Sequence, residues 1–298
     1  MTVVRPAREE DVETAAAMLN EHSRRLYGSD DMTPADLLLY WTSPDVELGQ
    51  DVLLAESDGG ELGGYADIGV HGEMVWLDIR GTDANTLPAL LEAIEQRATA
   101  KEPDKKLWSY SAADDEPLNE LLEETGYRTV RHSYRMRIDI DSDQPEPDWP
   151  DGYSVRTMRE GEERRVYDAQ MAAFADTWMF HAEPFDVWHH WMVEEPSFDR
   201  SLWFLAEKDG DLAGVVIARA PENEPGFGWI RILGVVPEHR QKGLGQALLR
   251  HTFAEFASRG FHAVGLGVDA ENPTGAVRVY ERAGMHVERT NLISEKQG

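Results

Sequence analysis

The sequence predicts an α/β protein of two tandem domains, each with a mixed, mostly antiparallel central sheet flanked by helices. Three observations lead to this fold class. Short segments recur at a spacing of 151 residues, Asp-Gly pairs interrupt apolar runs, and each half later shows a strand–helix–strand order. The recurrence predicts two copies of one domain, and the other two observations predict the sheet within each copy.

The recurrence rests on matched segments in the same order. "VRPARE" at Val4–Glu9 resembles "VRTMRE" at Val155–Glu160, and "LAESDG" at Leu54–Gly59 resembles "LAEKDG" at Leu205–Gly210. A third pair, "LEETGY" and "YERAGM", follows in the same order. Three ordered matches favour duplication of a domain over coincidence.

An acidic, proline-rich stretch separates the two copies. "DIDSDQPEPDWPDG" spans Asp139–Gly152 and lacks apolar periodicity, which is typical of a linker. We therefore expect a first domain over residues 1–140, a linker over 141–152 and a second domain over 153–298.

Each half contains the same predicted elements. Asp-Gly turns within "VLLAESDGGELGGYADIGV" and "LWFLAEKDGDLAGVVIARA" predict one hairpin per half. The later strands are predicted at Met74–Ile79, Leu107–Ser111, Gly228–Val235 and Ala263–Val268. The predicted helices are Asp11–Arg25, Thr33–Thr42, Leu87–Thr99, Pro117–Glu124, Glu162–Phe174, Phe185–Glu194, Leu244–Arg259 and Thr274–Arg282.

Composition excludes several function classes. The net charge of −27 disfavours binding to nucleic acid, because such a surface repels phosphate backbones. The chain has no cysteine, so disulfides, thiolate metal sites and thiol nucleophiles are excluded. The N-terminus does not read as a secretory signal, and no apolar run is long enough to suggest a membrane span. We therefore expect a cytoplasmic protein that binds no membrane.

A basic, glycine-containing turn in the second half indicates an anion site. "PEHRQKGLG" follows a predicted strand and precedes a predicted helix, whose N-terminus leaves backbone N–H groups unpaired. Gly243 and Gly245 let an anion approach the backbone closely, and Arg240 and Lys242 add positive charge. The spacing fits neither the dinucleotide fingerprint nor the P-loop.

Together with a later segment, this turn resembles the GNAT family of acetyl-CoA-dependent N-acetyltransferases. The later segment, "VDAENPTGAVRVYERAGM", contains Asn272, Ala276, Tyr280 and Gly284 in the family's order. Met285 stands where the family usually has an aromatic residue. The resemblance covers roughly residues 153–290.

The resemblance implies acetyl-CoA as co-substrate, no metal, and a small primary amine as acceptor. The implied cofactor-binding residues are Leu233, Gly234, Val235, Arg240, Gln241, Lys242, Gly243, Leu244, Gly245, Gln246, Asn272, Ala276 and Tyr280. It also implies Tyr280 as general acid for the departing thiolate and the backbone N–H near Val235 as donor to the oxyanion. His181 and Glu183 are the candidate general bases, and a chain of water molecules is the alternative.

The first half lacks the glycine turn. "RGTDANTLPALLEAI" has no Gly-x-Gly, Asp83 would repel a phosphate, and Leu122 stands where Tyr280 stands in the second half. We expect a degenerate, non-catalytic GNAT-like domain that either lines the acceptor pocket or serves as a scaffold.

Other functions remain open at this stage. The tandem arrangement is also similar to the mycothiol synthases, which acetylate a cysteinyl pseudo-disaccharide. A non-catalytic acyl-CoA-binding module is a further alternative. The chain is expected to be a monomer or a homodimer.

Overall fold

The computed structural model describes residues 2–57, 59–145, 147–178, 180–272 and 274–296. The chain divides into two compact units. The first holds residues 1–133 and 289–298, and the second holds residues 134–288. Each unit has its own set of hydrogen-bonded strands and its own hydrophobic core.

The strands of the first unit form a sheet in the order β1-β2-β3-β4-β5-β12. They are β1 (Val3–Pro6), β2 (Val52–Glu56), β3 (Leu62–His71), β4 (Met74–Gly81), β5 (Lys106–Ala112) and the end of β12 (His286–Lys296). The helices are α1 (Val12–Tyr27), α2 (Pro34–Trp41), α3 (Leu48–Asp51), α4 (Leu87–Lys101) and α5 (Glu116–Glu124).

The sheet of the first unit is mostly antiparallel. Among its described strands, only β4 and β5 pair in parallel, and α4 connects them as the crossover helix. Apolar side chains of β3, β4 and α4, such as Ile68, Leu77 and Leu90, are buried in the same core cluster on one face. Helices α1 and α2 contribute a second buried cluster that includes Trp41 and Tyr65.

The second unit repeats this plan with the sheet order β6-β11-β10-β9-β8-β7. Its strands are β6 (Arg128–Asp139, from Tyr134 onward), β7 (Ser154–Thr157), β8 (Trp203–Lys208), β9 (Asp211–Arg219), β10 (Phe227–Val235) and β11 (Ala263–Asp269). Its helices are α6 (Glu163–Phe174), α7 (Phe185–Val193), α8 (Leu244–Ser258) and α9 (Ala276–Arg282).

In the second unit, β7 to β10 pair antiparallel in chain order, whereas β10 and β11 pair in parallel. Helix α8 is the crossover between them. It buries Leu248, Leu249, Phe253 and Phe256 in the core, which is the apolar face that the sequence spacing predicts. The predicted fold class, two tandem mixed and mostly antiparallel sheets with flanking helices, is therefore confirmed.

The division of the chain differs from the predicted linear one. Residues 141–152 lie inside the second unit, and residues 289–298 belong to the first. The reason is strand pairing: Asn291–Lys296 of β12 pair antiparallel with Ala112–Leu107 of β5. Of the predicted ranges, seven residues lie outside the described ones: Met1, Asp58, Glu146, Met179, Pro273, Gln297 and Gly298.

Candidate functional site

A gap between two parallel strands defines the candidate site. The parallel ladder of β10 and β11 runs from Phe227↔Ala263 to Ile230↔Leu266. Beyond Ile230, β10 continues to Val235 paired with β9. One edge of this part of β10 therefore lies beside a cavity of about 1010 Å³, which β11, α8 and α9 also line.

A β-bulge lies at the point where the strands part. The register of β10 against β9 shifts between Ile230 and Ile232, so Arg231 is the extra residue. A bulge breaks the alternation of side chains along a strand and redirects the extra one. Arg231 lines the cavity. In the first unit, β4 pairs with β3 from Gly64↔Gly81 to His71↔Met74 without a register shift.

The turn from β10 to α8 has the backbone geometry of an anion site. Gln241 (φ 59°) and Gly243 (φ 84°) adopt the left-handed conformation, and Gly243 is the N-cap of α8. The first N–H groups of this 15-residue helix have no carbonyl within the helix to bond to. The helix dipole adds partial positive charge at this end. Gly243, Leu244, Gly245 and Gln246 all line the cavity.

The two cations of this turn are already engaged with the protein. Arg240 donates to both carboxylate oxygens of Asp176 (2.6 and 2.8 Å), to the Ala173 carbonyl (2.8 Å) and to the Val235 carbonyl (3.1 Å). The Lys242 ammonium donates to the Glu238 carbonyl at 2.7 Å. The guanidinium of Arg240 therefore holds the turn against the end of α6.

Tyr280 contributes a buried phenol to the cavity lining. Its side chain is 7% exposed, and burial raises the pKa of Tyr280 to about 12. The phenol therefore stays protonated throughout the neutral range and can donate a proton. Gly275, with φ 76°, is the N-cap of the short helix α9 that carries Tyr280.

The structure brings most of the predicted site residues together. The following predicted cofactor-binding residues line the 1010 Å³ cavity: Leu233, Gly234, Val235, Arg240, Gln241, Gly243, Leu244, Gly245, Gln246, Asn272, Ala276 and Tyr280. Lys242 instead lines a neighbouring cavity of about 210 Å³ with Trp149 and Arg250. Neither candidate base is among the residues that line the large cavity. His181 is exposed, and the Glu183 carbonyl accepts a hydrogen bond from the Tyr167 hydroxyl at 2.6 Å.

The described lining of the large cavity carries more positive than negative charge. Four arginines (Arg231, Arg240, Arg278 and Arg282) line it together with two aspartates (Asp176 and Asp269). This excess stands out in a chain with a net charge of −27. Sequence analysis did not identify Arg278 and Arg282 as site residues, although both lie in the later segment on either side of Tyr280.

A buried ion cluster lies beside the bulge. Arg231 and Arg219 both donate to the same oxygen of Glu195, Oε2, at 3.0 and 3.1 Å. Arg231 also donates to the carbonyl of Trp191 at 2.7 Å, close to the end of α7. The Glu195 side chain is 1% exposed, and its Oε1 has no hydrogen-bond partner among the described residues. Sequence analysis missed Glu195 because nothing in its local pattern marks it.

The corresponding turn of the first unit is closed by its own side chains. The Asp83 carboxylate accepts from the backbone N–H of Asn85 at 3.0 Å, at the start of the helical segment. The Arg80 guanidinium on β4 pairs with Asp78 and Asp31 at 2.9 and 2.6 Å. A carboxylate thus lies where an anionic ligand would bind.

Among the described residues, no group of three or more His, Asp or Glu side chains is arranged to hold a metal ion. None of the described helices is long and apolar enough to cross a membrane.

Residues 164–285 match the family described as "Acetyltransferase (GNAT) family". The chain is 33% identical over 246 residues to the mycothiol acetyltransferase of Thermobispora bispora, covering 76% of this chain and 77% of that one. It is 30% identical over 258 residues to the mycothiol acetyltransferase of Streptomyces coelicolor, covering 81% and 78%.

Solved structures give the same family. A GCN5-related N-acetyltransferase from Sphaerobacter thermophilus superposes with a TM-score of 0.79 at 28% identity, covering 99% of this chain and 95% of that one. A tandem GNAT protein from the clavulanic acid biosynthesis pathway has the same fold, with a TM-score of 0.77 at 15% identity over 100% and 98%. Sequence, fold and family match agree, and this chain belongs to the GNAT family of acetyltransferases.

Proposed function

We propose that this protein transfers an acetyl group from acetyl-CoA to the primary amine of a small molecule, and that its second unit carries the reaction. GNAT enzymes use acetyl-CoA as co-substrate. The observation that carries the proposal is the gap between β10 and β11, which opens into the 1010 Å³ cavity beside the left-handed turn at Gly243.

The cavity has features that suit two parts of acetyl-CoA, the pyrophosphate and the pantetheine arm. The N–H groups from Gln241 to Gln246 form an anion site at the start of α8, suited to the pyrophosphate of acetyl-CoA. Leu233 to Val235 on β10 have one edge beside the cavity, where the amide groups of the pantetheine arm would add like a strand. Asn272 and Ala276 complete the lining near α9.

Two groups would assist the transfer itself. The backbone N–H of Val235 would donate a hydrogen bond to the thioester oxygen as negative charge develops on it, which lowers the barrier. Tyr280 would donate its phenolic proton to the departing thiolate sulfur. The raised pKa of Tyr280, about 12, keeps that proton available at neutral pH.

The acceptor amine must lose a proton before it attacks, because an alkylammonium group has no free electron pair. His181 and Glu183 are not among the residues that line the cavity. We therefore propose that this proton leaves through water, with Glu183 as a candidate carrier because its charge acts on Arg231, which lines the cavity. Glu183 is close enough to Arg231 to raise the pKa of that guanidinium, although burial lowers it overall.

The first unit is proposed to be non-catalytic. Asp83 occupies a backbone N–H at its helix start, and β4 has no bulge that would redirect a side chain. Arg80 forms ion pairs with Asp78 and Asp31, so its positive charge is already balanced by carboxylates of the protein. This unit is therefore proposed to support the second unit without binding acetyl-CoA.

A second candidate function narrows the acceptor. The curated relatives in Thermobispora bispora and Streptomyces coelicolor are named mycothiol acetyltransferases, and they match three quarters or more of this chain. This likeness favours a cysteinyl pseudo-disaccharide as the acceptor. The two candidates share the donor site and differ in the acceptor.

Release of the CoA thiol tests the proposed function. The protein is incubated with acetyl-CoA and a panel of amines that includes the cysteinyl pseudo-disaccharide, and free thiol is measured against time. We expect acceptor-dependent release in the wild type and none in Gly243→Glu, whose carboxylate would repel the pyrophosphate. Circular dichroism checks that the variant is folded. Absence of release with every amine, or equal release from the variant, would contradict the proposal.

A further inference from the structure

We propose that Arg231 binds a carboxylate carried by the acceptor amine, so that the second unit selects amines bearing this anionic group over amines that lack it. The inference rests on the proposed acetyl transfer and deepens it by naming the acceptor's chemical class. Three features carry it: the position of Arg231, its unused donors and the charge around it.

The position follows from the bulge. Arg231 is the extra residue of β10 at the point where β10 and β11 part, and it is among the residues that line the cavity. Trp178, 36% exposed, lines the same cavity after the end of α6. The proposed donor-binding residues Leu233 to Val235 follow directly along β10. A group bound by Arg231 would therefore lie close to the part of β10 at which the acetyl group is proposed to bind.

The donors of Arg231 are only partly used. Both of its hydrogen bonds, to the Trp191 carbonyl and to Glu195 Oε2, come from Nη1. Its Nε and Nη2 groups make no hydrogen bond with any described residue, although the side chain is only 21% exposed. A guanidinium presents a planar set of donors that matches the two oxygens of a carboxylate. The unused donors therefore suit a carboxylate ligand.

The local charge favours an anion as well. Among the described residues that line the cavity, four arginines (Arg231, Arg240, Arg278 and Arg282) stand against two aspartates (Asp176 and Asp269). A carboxylate on the acceptor would therefore enter a lining in which positive charge predominates. The charge of Glu183, which also acts on Arg231, would attract the ammonium end of the same molecule.

The test compares acceptors of matched shape with and without this group, at equal concentrations of unprotonated amine, because the carboxylate also raises the pKa of the neighbouring amine. Rates of CoA thiol release are measured with free amino acids and with the corresponding amino acid amides, which have nearly the same shape but no carboxylate. The cysteinyl pseudo-disaccharide, whose cysteine carboxyl group forms an amide bond, is included as an acceptor without a carboxylate. We expect the best carboxylate-bearing acceptor to exceed its amide by roughly ten- to a hundredfold in kcat/KM, the size expected for a charge-assisted hydrogen bond.

Substitutions test whether Arg231 causes the preference for acceptors that carry a carboxylate. Arg231→Gln should reduce the ratio between the acid and its amide to about one, without changing the Kd of acetyl-CoA. Arg219→Gln is the matched control, because it removes a cation from the same Glu195 oxygen but is not among the residues that line the cavity. It should keep the ratio, with any loss of activity shared equally by both acceptors. Arg231→Lys keeps the charge and should give an intermediate ratio if Arg231→Gln does not fold.

The outcomes separate the two proposals. Equal kcat/KM for acids and amides, a best acceptor without an anionic group, or an unchanged ratio in Arg231→Gln would overturn the role of Arg231 and leave acetyl transfer intact. Failure of acetyl-CoA to bind, together with no thiol release from any amine, would overturn the proposed function itself.

Discussion

Arg240 and Asp176 form a two-bonded ion pair, with 2.6 Å between Nη1 and Oδ2 and 2.8 Å between Nη2 and Oδ1. The same guanidinium donates to the carbonyls of Ala173 and Val235, so it joins the end of α6, the end of β10 and the glycine turn. Its hydrogen bond lowers the pKa of Asp176. Arg240 thus acts on the proposed phosphate site by fixing the turn.

This relationship predicts that Asp176→Asn weakens acetyl-CoA binding. Loss of the charged partner loosens Arg240 and the turn that it holds, and an exposed pair of this kind supports an effect of roughly two- to fivefold in Kd. Calorimetric titration with acetyl-CoA measures it, and Arg240→Gln should have the larger effect. If Arg240 instead bound the phosphate directly, Asp176→Asn would free the guanidinium and tighten binding.

The two glycines of the turn should respond differently to alanine. Gly243 has φ 84°, so Gly243→Ala forces an L-residue into the left-handed conformation and should cost about 1 kcal/mol of folding stability. A Cβ on Gly245 would lie 3.6 Å from Val235 Cγ2, an ordinary contact, at a position inside α8 where alanine is favoured. Gly245→Ala should therefore leave the Tm unchanged or raise it.

The two alanine variants should also differ in how their acetyl-CoA affinity relates to their stability. The Gly245→Ala methyl group would stand beside Val235 in the cavity, so we expect a higher Kd for acetyl-CoA without loss of Tm. Gly243→Ala should lower both affinity and Tm. Thermal melting and calorimetry on the two variants measure these effects. Wild-type affinity in Gly245→Ala would argue against close approach of a ligand to this backbone.

Tyr280→Phe should slow the chemical step and leave donor binding unchanged. Removing the hydroxyl group keeps the aromatic ring in the core and deletes the proton donor. General acids typically contribute ~10²–10⁴-fold to the rate. Single-turnover rates with acetyl-CoA and a good acceptor give the effect, and the Kd of acetyl-CoA is the control. Since the pKa of Tyr280 is about 12, the wild-type rate should show no decline from phenol ionisation below about pH 11. A near-normal rate in the variant would make Tyr280 structural.

Asp67 makes the first unit sensitive to pH. It lies directly opposite Asp78 in the β3–β4 ladder, and the Tyr40 hydroxyl donates to it at 2.6 Å. Burial, with the added charge of Asp78, raises the pKa of Asp67 from 3.8 to about 7. The stability that this group contributes is therefore full below about pH 3.8 and is lost as the pH rises through about 7.

Replacement of Asp67 by asparagine tests whether Asp67 lowers the stability of the protein as the pH rises. Asp67→Asn removes the buried charge and keeps an oxygen that can accept from Tyr40, so the Tm at pH 8 should rise by several degrees. The variant and the wild type should melt within a degree or two of each other near pH 4, where Asp67 is already neutral. A Tm at pH 8 equal to or below that of the wild type would refute the pKa assignment.

Local signals predicted most of the fold. The hairpins β2–β3 and β8–β9 follow from Asp-Gly turns between apolar runs, and the crossover helices α4 and α8 follow from their apolar faces. The long strands β6 and β12 were missed, because they are polar and contain few buried residues. The pairing of β12 with β5 joins distant parts of the chain, and such pairing leaves no local pattern.

In the candidate site, too, local motifs could be predicted from the sequence and long-range contacts could not. The glycine turn and Tyr280 belong to contiguous motifs, so both could be identified through the resemblance of these motifs to the GNAT family. The Arg231–Glu195 pair could not, since it depends on a bulge in β10 and joins residues 36 positions apart. His181 and Glu183 were chosen from position in the chain, which does not reveal which side chains reach a cavity.

The stoichiometry of acetyl-CoA binding tests the central claim most directly. Calorimetric titration of the full chain should give one site per chain, and Gly243→Glu in the second unit should abolish it while the protein remains folded. Two equivalent sites per chain, or one site that survives Gly243→Glu, would contradict the assignment of the donor site to the second unit.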